Sequence, residues 1–272
     1  MPGSHHLVGA VITKEASHPP GSLTGVTIEA TGSFIPFKAV FNFRDVGGLA
    51  AADGARVRER ALFRSDTLSR LSDDDRAAFA ELGVRTVIDL RRPEEVSSAG
   101  RAPAWAAPVY RHWHLEHPYW DHSLYAGDVA RYLADRYVEL AGHGAADIAG
   151  VVALVADEAS GPTAVHCVAG KDRTGTVVAF VLDLLGVDEE EIAGEYALTE
   201  RSEDAYSAWA KVNVPGFAEA PPVPYYVSTP PEAMLLTLRE VRAAYGSVEA
   251  LLTAAGLPAG TVERLRAKLL TG

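Results

Sequence analysis

The sequence predicts an α/β protein, a parallel-rich central sheet flanked by helices, and three observations carry that prediction. Short runs of β-formers alternate with longer stretches of helical period, the pattern of strands laid side by side with helices crossing over both faces. Val84-Arg85-Thr86-Val87-Ile88-Asp89-Leu90 reads as a buried strand closed off from the preceding helix by Gly83. A second β-run, Thr163-Ala164-Val165, enters a tight loop that gives way at once to the apolar run Thr176-Val177-Val178-Ala179-Phe180-Val181-Leu182. Strand, loop and helix follow one another there within twenty residues.

Taken in order, residues 1–35 are rich in Gly, Pro, Ser and Thr and read as an irregular N-terminal arm, with one short strand at Val26-Thr27-Ile28. Residues 36–272 read as a single domain. Ser72-Asp73-Asp74-Asp75 is a helix start, its carboxylates suited to the positive end of the first turn, and the helix runs over 76–82. After the buried strand, Arg92-Pro93-Glu94-Glu95-Val96 opens a short helical turn. Val109-Tyr110-Arg111-His112-Trp113-His114-Leu115 alternates and predicts a third strand. Helices fit about 125–141 and 145–158, and Pro162 precedes the strand that ends at Cys167. Beyond Gly186 the period predicts a helix over about 188–209. A Pro-rich break follows at Val214-Pro215-Gly216 and Pro221-Pro222-Val223-Pro224, then helix over 231–245 and again from 247 to the end.

Composition narrows the partners. The 272 residues are 48% hydrophobic, enough for a sizeable core, and carry a net charge of −11. That charge disfavours nucleic acid and anionic membrane surfaces as bulk partners. No apolar run approaches the roughly 18 residues that span a bilayer. Met1-Pro2-Gly3-Ser4-His5-His6 lacks a basic segment followed by an apolar one, so no signal peptide is expected and the compartment reads as cytoplasmic. The one cysteine, Cys167, excludes an internal disulfide and any resolving thiol. Oligomeric state has no signature in the sequence.

The chemistry concentrates in His166-Cys167-Val168-Ala169-Gly170-Lys171-Asp172-Arg173-Thr174-Gly175, where five residues separate Cys167 from Arg173. A loop between a strand and a helix N-terminus is an anion cradle. Backbone N–H groups of Val168, Ala169, Gly170 and Lys171, the positive end of a helix beginning near Thr174, and the Arg173 guanidinium all favour a thiolate over a thiol at Cys167. The same groups suit a phosphoryl dianion, with Arg173 as a planar fork for two oxygens and Lys171 a second positive charge near the rim. Gly170 permits the turn, and the Thr174 hydroxyl is placed to donate to the sulfur when a phosphocysteine breaks down. Taken singly these features are ordinary, since a cysteine after a β-run is usually a small buried hydrophobe. Their conjunction points to phosphate-ester hydrolysis through a phosphocysteine intermediate. A nucleotide-binding loop would need Gly at 165 and Ser or Thr at 172, where the chain has Val165 and Asp172. A sulfurtransferase loop is a weaker alternative, because it has no evident need for the Lys-Asp-Arg-Thr series.

The loop resembles that of the Cys-x5-Arg tyrosine phosphatase superfamily. Its Gly-Lys-Asp-Arg-Thr-Gly tail is similar to a bacterial branch active toward phosphotyrosine, phosphoserine/threonine and phosphoinositides. Asn42-Phe43-Arg44-Asp45-Val46-Gly47-Gly48-Leu49, Leu62-Phe63-Arg64-Ser65-Asp66 and Val87-Ile88-Asp89-Leu90-Arg91 match that branch in order, over about 38–200. The resemblance implies a phosphotyrosine phosphatase-like fold for 36–272 and a cysteine-dependent phosphatase with no metal or organic cofactor. Its substrate would be a phosphorylated protein or a small phosphorylated molecule. A pseudophosphatase that only binds phosphorylated ligands is a further alternative, opposed by the intact Cys167, Asp172 and Arg173. The resemblance also implies helices folded over the site as a lid, here expected over 195–240, where the Pro-rich break offers a hinge.

Three aspartates compete to protonate the leaving group. The resemblance favours Asp172, inside the loop. Asp89 ends a central strand, where ligand crevices form. Asp121 follows the third strand. Arg44 with Asp45, and Arg64, are expected to pin neighbouring segments against the loop. His166 is expected to fix the loop by hydrogen bonding and to lend it charge. His112, His114, Glu116, His117 and His122 invite a metal site, but histidines at strand ends are common without one, and none is assigned.

Overall fold

The computed structural model describes residues 34–218 and 223–272. The expected strand at 26–28 and nearly all of the N-terminal arm lie outside the described residues, as do Pro221 and Pro222 of the Pro-rich break. The strands are β1 (Arg44–Asp45), β2 (Arg56–Val57), β3 (Leu62–Ser65), β4 (Thr86–Asp89), β5 (Val109–His112), β6 (Thr163–His166) and β7 (Leu270–Thr271). The helices are α1 (Arg76–Glu81), α2 (Pro93–Ala99), α3 (Val129–His143), α4 (Ala145–Ala156), α5 (Asp172–Leu185), α6 (Glu189–Ala197), α7 (Glu203–Asn213), α8 (Pro224–Val227), α9 (Pro231–Tyr245), α10 (Val248–Ala254) and α11 (Thr261–Leu269).

Five strands form one sheet in the order β1-β3-β6-β4-β5. β3, β6, β4 and β5 are parallel, and β1 joins β3 antiparallel. Every residue of β4 and β6 is buried, as strands covered on both faces must be. Alternation divides their side chains between two cores. Leu62, Ile88 and Val165 face the core built with α3–α6 and α9–α11. Phe63, Val87 and Ala164 face a smaller core with Phe43 and Phe79. The register sets Ser65, Asp89 and His166 side by side at the carboxyl ends of β3, β4 and β6. Open α/β sheets gather ligands at that edge, and the Cys167 loop leaves it directly into α5.

Several expected elements differ in extent. The strand from 109 ends at His112, although Trp113 N still donates to Asp89 O at 2.9 Å. The helix expected from 125 begins at Val129, because the Asp128 side chain caps it by accepting from Arg131 N. The helix expected over 188–209 is two helices joined by a 3-10 turn, Leu198–Ser202. There Arg44 donates to the Thr199 hydroxyl at 3.1 Å and Ser202 Oγ donates to Thr199 O at 2.7 Å, which draws that turn out of helical register. The last helix is also broken, by Gly256 and Gly260 at φ 100° and 74°. Near its end Leu270–Thr271 form β7 and pair with β2, a contact too short to leave a period in the sequence. No single described helix is long and apolar enough to cross a membrane.

Candidate active site

Cys167 follows β6 at the bottom of the loop, buried, with the first turn of α5 beginning five residues later at Asp172. Three successive loop carbonyls are held from outside. Val168 O accepts from Thr67 N at 2.9 Å, Ala169 O from Asn42 Nδ2 at 2.9 Å, and Gly170 O from Arg64 Nη2 at 2.5 Å. In a trans peptide the carbonyl and the next N–H point in opposite directions. The N–H groups of Ala169, Gly170 and Lys171 therefore turn inward. Gly170 has φ 68°, and a Cβ there would lie 2.4 Å from Ser65 O, so only glycine lets the loop press against the end of β3.

Arg173 is fixed from α2. Its Nη1 donates to Glu95 Oε2 at 2.6 Å and its Nη2 to Glu95 Oε1 at 3.0 Å, while Nε has no partner among the described residues. Burial opposes the charge, but Cys167 and Glu95 outweigh it and raise the guanidinium above its ordinary value. Asp172 Oδ1 accepts from Tyr137 Oη at 2.7 Å. The Thr174 hydroxyl is buried without a partner among the described residues.

Lys171 corrects an expectation. It is not a rim charge but a buried one, its Nζ donating to the carbonyl of Tyr225 and, at 3.4 Å, to that of Tyr226 at α8. Burial pushes the ammonium below its usual value, with Asp172 opposing. His166 donates no charge either. Burial lowers it despite Asp89, and its Nδ1 lies 3.1 Å from Cys167 O, so a neutral ring bonds the backbone.

The other aspartates sit elsewhere. Asp89 is fully buried, accepting from Arg91 Nε at 2.9 Å, Arg91 Nη2 at 2.7 Å and Tyr110 Oη at 2.7 Å. Burial alone would raise it, but His166, which becomes charged in the acid range where Asp89 titrates, together with Arg91 and Tyr110 holds it down at about 2, so it carries no proton at neutral pH. Asp121 is exposed and caps the turn His122–Leu124 by accepting from Ser123 N at 2.9 Å. Among the described residues no group of three or more His, Cys, Asp or Glu is arranged to hold a metal.

Arg64 pins the loop directly, as expected, and Arg44 does so at one remove. Both guanidiniums meet the buried Glu195 of α6, Arg44 Nε at 2.7 Å and Arg64 Nη1 at 2.5 Å. Burial and the neighbouring Arg64 push Arg44 down to about 10. Asp45 does not reach the loop. It accepts from Gly47 N at 2.9 Å and Arg60 N at 2.7 Å, bracing its own turn, and the contact with the loop is made by Asn42 instead.

Above the loop lies a cavity of about 650 Å³. Val168, Ala169, Lys171 and Asp172 form its floor, with Phe41, Tyr206 and Phe217 on one side and Tyr226 and Val227 on another. Arg70, ion-paired with Asp66, lies over the rings of Phe41, Tyr206 and Trp209 at 5.7, 5.4 and 4.9 Å. Residues within the expected lid, from Tyr206 to Phe217 and at Tyr226 and Val227, thus wall the cavity. Asn42, Glu95, Glu195 and Tyr137 escaped sequence reasoning. Of these only Asn42, at the head of a motif, offered a signal.

Comparison with known proteins agrees with this geometry. The triple specificity protein phosphatase PtpB of Mycobacterium tuberculosis is 30% identical, over 85% of this chain and 96% of that protein. A putative tyrosine-protein phosphatase of Cupriavidus necator is 29% identical over 78% of this chain and 75% of its own length. A tyrosine-protein phosphatase of Nostoc commune is 33% identical over 51% of this chain and 48% of its own. A family model described as "Tyrosine phosphatase family" matches residues 35–271, so the chain belongs to the tyrosine phosphatase family.

Proposed function

We propose that the chain hydrolyses phosphomonoesters by a two-step cysteine route, with phosphotyrosine in protein as the leading substrate and phosphoserine and phosphothreonine accepted as well. The Cys167 thiolate attacks phosphorus. The P–O bond to the leaving group breaks, its electron pair stays on the departing oxygen, and that oxygen takes a proton from Asp172. Water then attacks the phosphocysteine and gives a proton to the Asp172 carboxylate. The S–P bond breaks, returning its electrons to sulfur and releasing orthophosphate.

The inward amides of Ala169, Gly170 and Lys171, with the Nε–H of Arg173, bind the equatorial oxygens, and the N-terminal end of α5 adds its dipole. Thr174 donates to sulfur in the second step. Asp89 is read as a brace for Arg91 and the end of β4. The domain is taken as 36–272 with a lid over 195–240, and the compartment as cytoplasmic, where an unpaired thiol nucleophile stays reduced.

The observation that carries this reading is the outward tethering of the Val168, Ala169 and Gly170 carbonyls, which leaves the N–H groups that follow them pointing the other way, into the loop. The test is turnover of p-nitrophenyl phosphate, abolished in Cys167→Ser. A second reading, a small phosphorylated metabolite as substrate, is supported by α8 lying over the loop on Lys171. A panel of phosphopeptides against sugar, nucleotide and inositol phosphates separates the two by kcat/KM.

A further inference from the structure

We propose that Tyr137, backed by Tyr196, is a positioning residue that aims the carboxyl of Asp172 at the leaving group. This rests on the reading of Asp172 as the general acid. Tyr137 is buried in the middle of α3, and its hydroxyl donates to Asp172 Oδ1 at 2.7 Å. Its oxygen also lies 2.7 Å from Tyr196 Oη on α6. A phenol has a single proton to give. Tyr137 gives its own to the carboxylate, so Tyr196 must donate to Tyr137. The result is a directed chain, Tyr196 to Tyr137 to Asp172, that runs from two helices of the core into the phosphate loop.

The far end of this chain distinguishes it from the ordinary settlement of a core tyrosine. A buried phenol usually bonds the nearest backbone carbonyl. This one bonds a carboxylate whose side chain is 26% exposed and lines the cavity floor. Asp172 Oδ2 accepts no hydrogen bond among the described residues and is the oxygen available to the substrate. Tyr196 is itself braced, since a Cβ at Gly175 would lie 3.1 Å from its Cδ2, so its ring packs on the first turn of α5. Both hydroxyls are held above their ordinary value by burial and by the charge of Asp172, and stay protonated at any working pH.

The remaining groups that face Asp172 are Lys171, whose Nζ lies 3.8 Å from Oδ1, the adjacent Arg173, and Tyr226 of α8. None of them fixes the carboxyl at hydrogen-bond distance. The Tyr137 proton stays on its own oxygen throughout, while the proton on Oδ2 passes to the leaving oxygen as the P–O bond breaks. The donated bond keeps Oδ1 in place while the carboxylate accepts a proton from water.

The experiment compares Tyr137→Phe and Tyr196→Phe with wild type, using an alkyl phosphate and p-nitrophenyl phosphate across pH. In Tyr137→Phe, kcat on the alkyl ester is expected to fall about tenfold and on the nitrophenyl ester by less than about threefold, with KM little changed. The high-pH limb of kcat/KM is expected to differ from that of wild type, because the hydrogen bond to Asp172 Oδ1 is gone. Tyr196→Phe moves the same limb in the same direction by less. Equal losses on both esters with an unmoved limb, or wild-type behaviour, overturn the proposal. Should Tyr137→Phe not fold, Tyr196→Phe decides it by the same two readouts. Asp172→Asn separates the layers. If it leaves the leaving-group dependence and the high-pH limb intact, the acid assignment fails and the proposal with it. If Asp172→Asn removes both and Tyr137→Phe does not discriminate, the proposal alone fails.

Discussion

Glu95 holds the guanidinium of Arg173 with both carboxylate oxygens, at 2.6 and 3.0 Å, and with the same group accepts from Arg92 N at 2.6 Å to cap α2. The orientation of Arg173 is therefore set by a helix that begins just past β4. Glu95→Gln keeps the shape, removes the charge and leaves a buried cation with a weaker partner. Loss of a charge-assisted pair of this kind is worth about 1.5–3 kcal/mol, so kcat/KM should fall by roughly ten- to a hundredfold on every phosphomonoester. Steady-state kinetics, with orthophosphate inhibition weakened in parallel, checks it. An unchanged inhibition constant would show that Arg173 is aimed by something else.

Gly170→Ala should disable the loop without unfolding the protein. The left-handed φ of 68° costs an L-residue about 1–2 kcal/mol, and the new Cβ would meet Ser65 O at 2.4 Å and Asp66 N at 2.6 Å. Both are backbone atoms and cannot swing aside. The loop must move, and the Arg64 bond to Gly170 O goes with it. Activity lost by more than about a hundredfold beside a native circular dichroism spectrum is the expected outcome.

Much of this was legible in the sequence, for physical reasons that particular residues display. The fold could be read because β4 and β6 carry apolar residues on both faces and α5 runs apolar from Val177 to Leu182. The loop that carries Cys167, Asp172 and Arg173 could be read because all three lie in one short segment between a strand and a helix. The supports could not. Asn42 and Ala169 are 127 positions apart, Arg44 and Glu195 are 151, and no local period announces such a pair. Lys171 was misjudged because its environment comes from Tyr225 and Tyr226, more than fifty residues on. The break at Thr199 was missed because it depends on Arg44 reaching across from the N-terminal motif.

Lys171 couples the loop to the α8 segment through the carbonyls of Tyr225 and Tyr226. Lys171→Met removes the donor and keeps an apolar stem of similar length. The α8 segment should then loosen, and alkylation of Cys167 by iodoacetamide, followed by mass spectrometry, should accelerate several-fold. Cross-linking α7 to the cavity wall opposite should slow bulky substrates more than p-nitrophenyl phosphate. Alkylation at the wild-type rate would mean that Lys171 does not hold this roof.

Asp89 predicts an acid-side loss of stability. Its folded value of about 2 lies below its ordinary value of 3.8, so its contribution is fully present above about pH 4 and disappears as the pH falls from there through 2. Its size is on the order of 2 kcal/mol. Urea midpoints at pH 5 and pH 2.5 should therefore differ more for wild type than for Asp89→Asn, which is less stable at pH 5 because Arg91 is left without its partner. Parallel pH dependence in the two proteins would remove Asp89 from this account.

Covalent catalysis by Cys167 is tested most directly by quenching turnover of a radiolabelled phosphate ester in acid and locating the label by peptide mapping. Label on the peptide that carries Cys167, absent from Cys167→Ser together with all turnover, is the expected result. Hydrolysis at the wild-type rate in Cys167→Ser, with no labelled peptide in either protein, would contradict it.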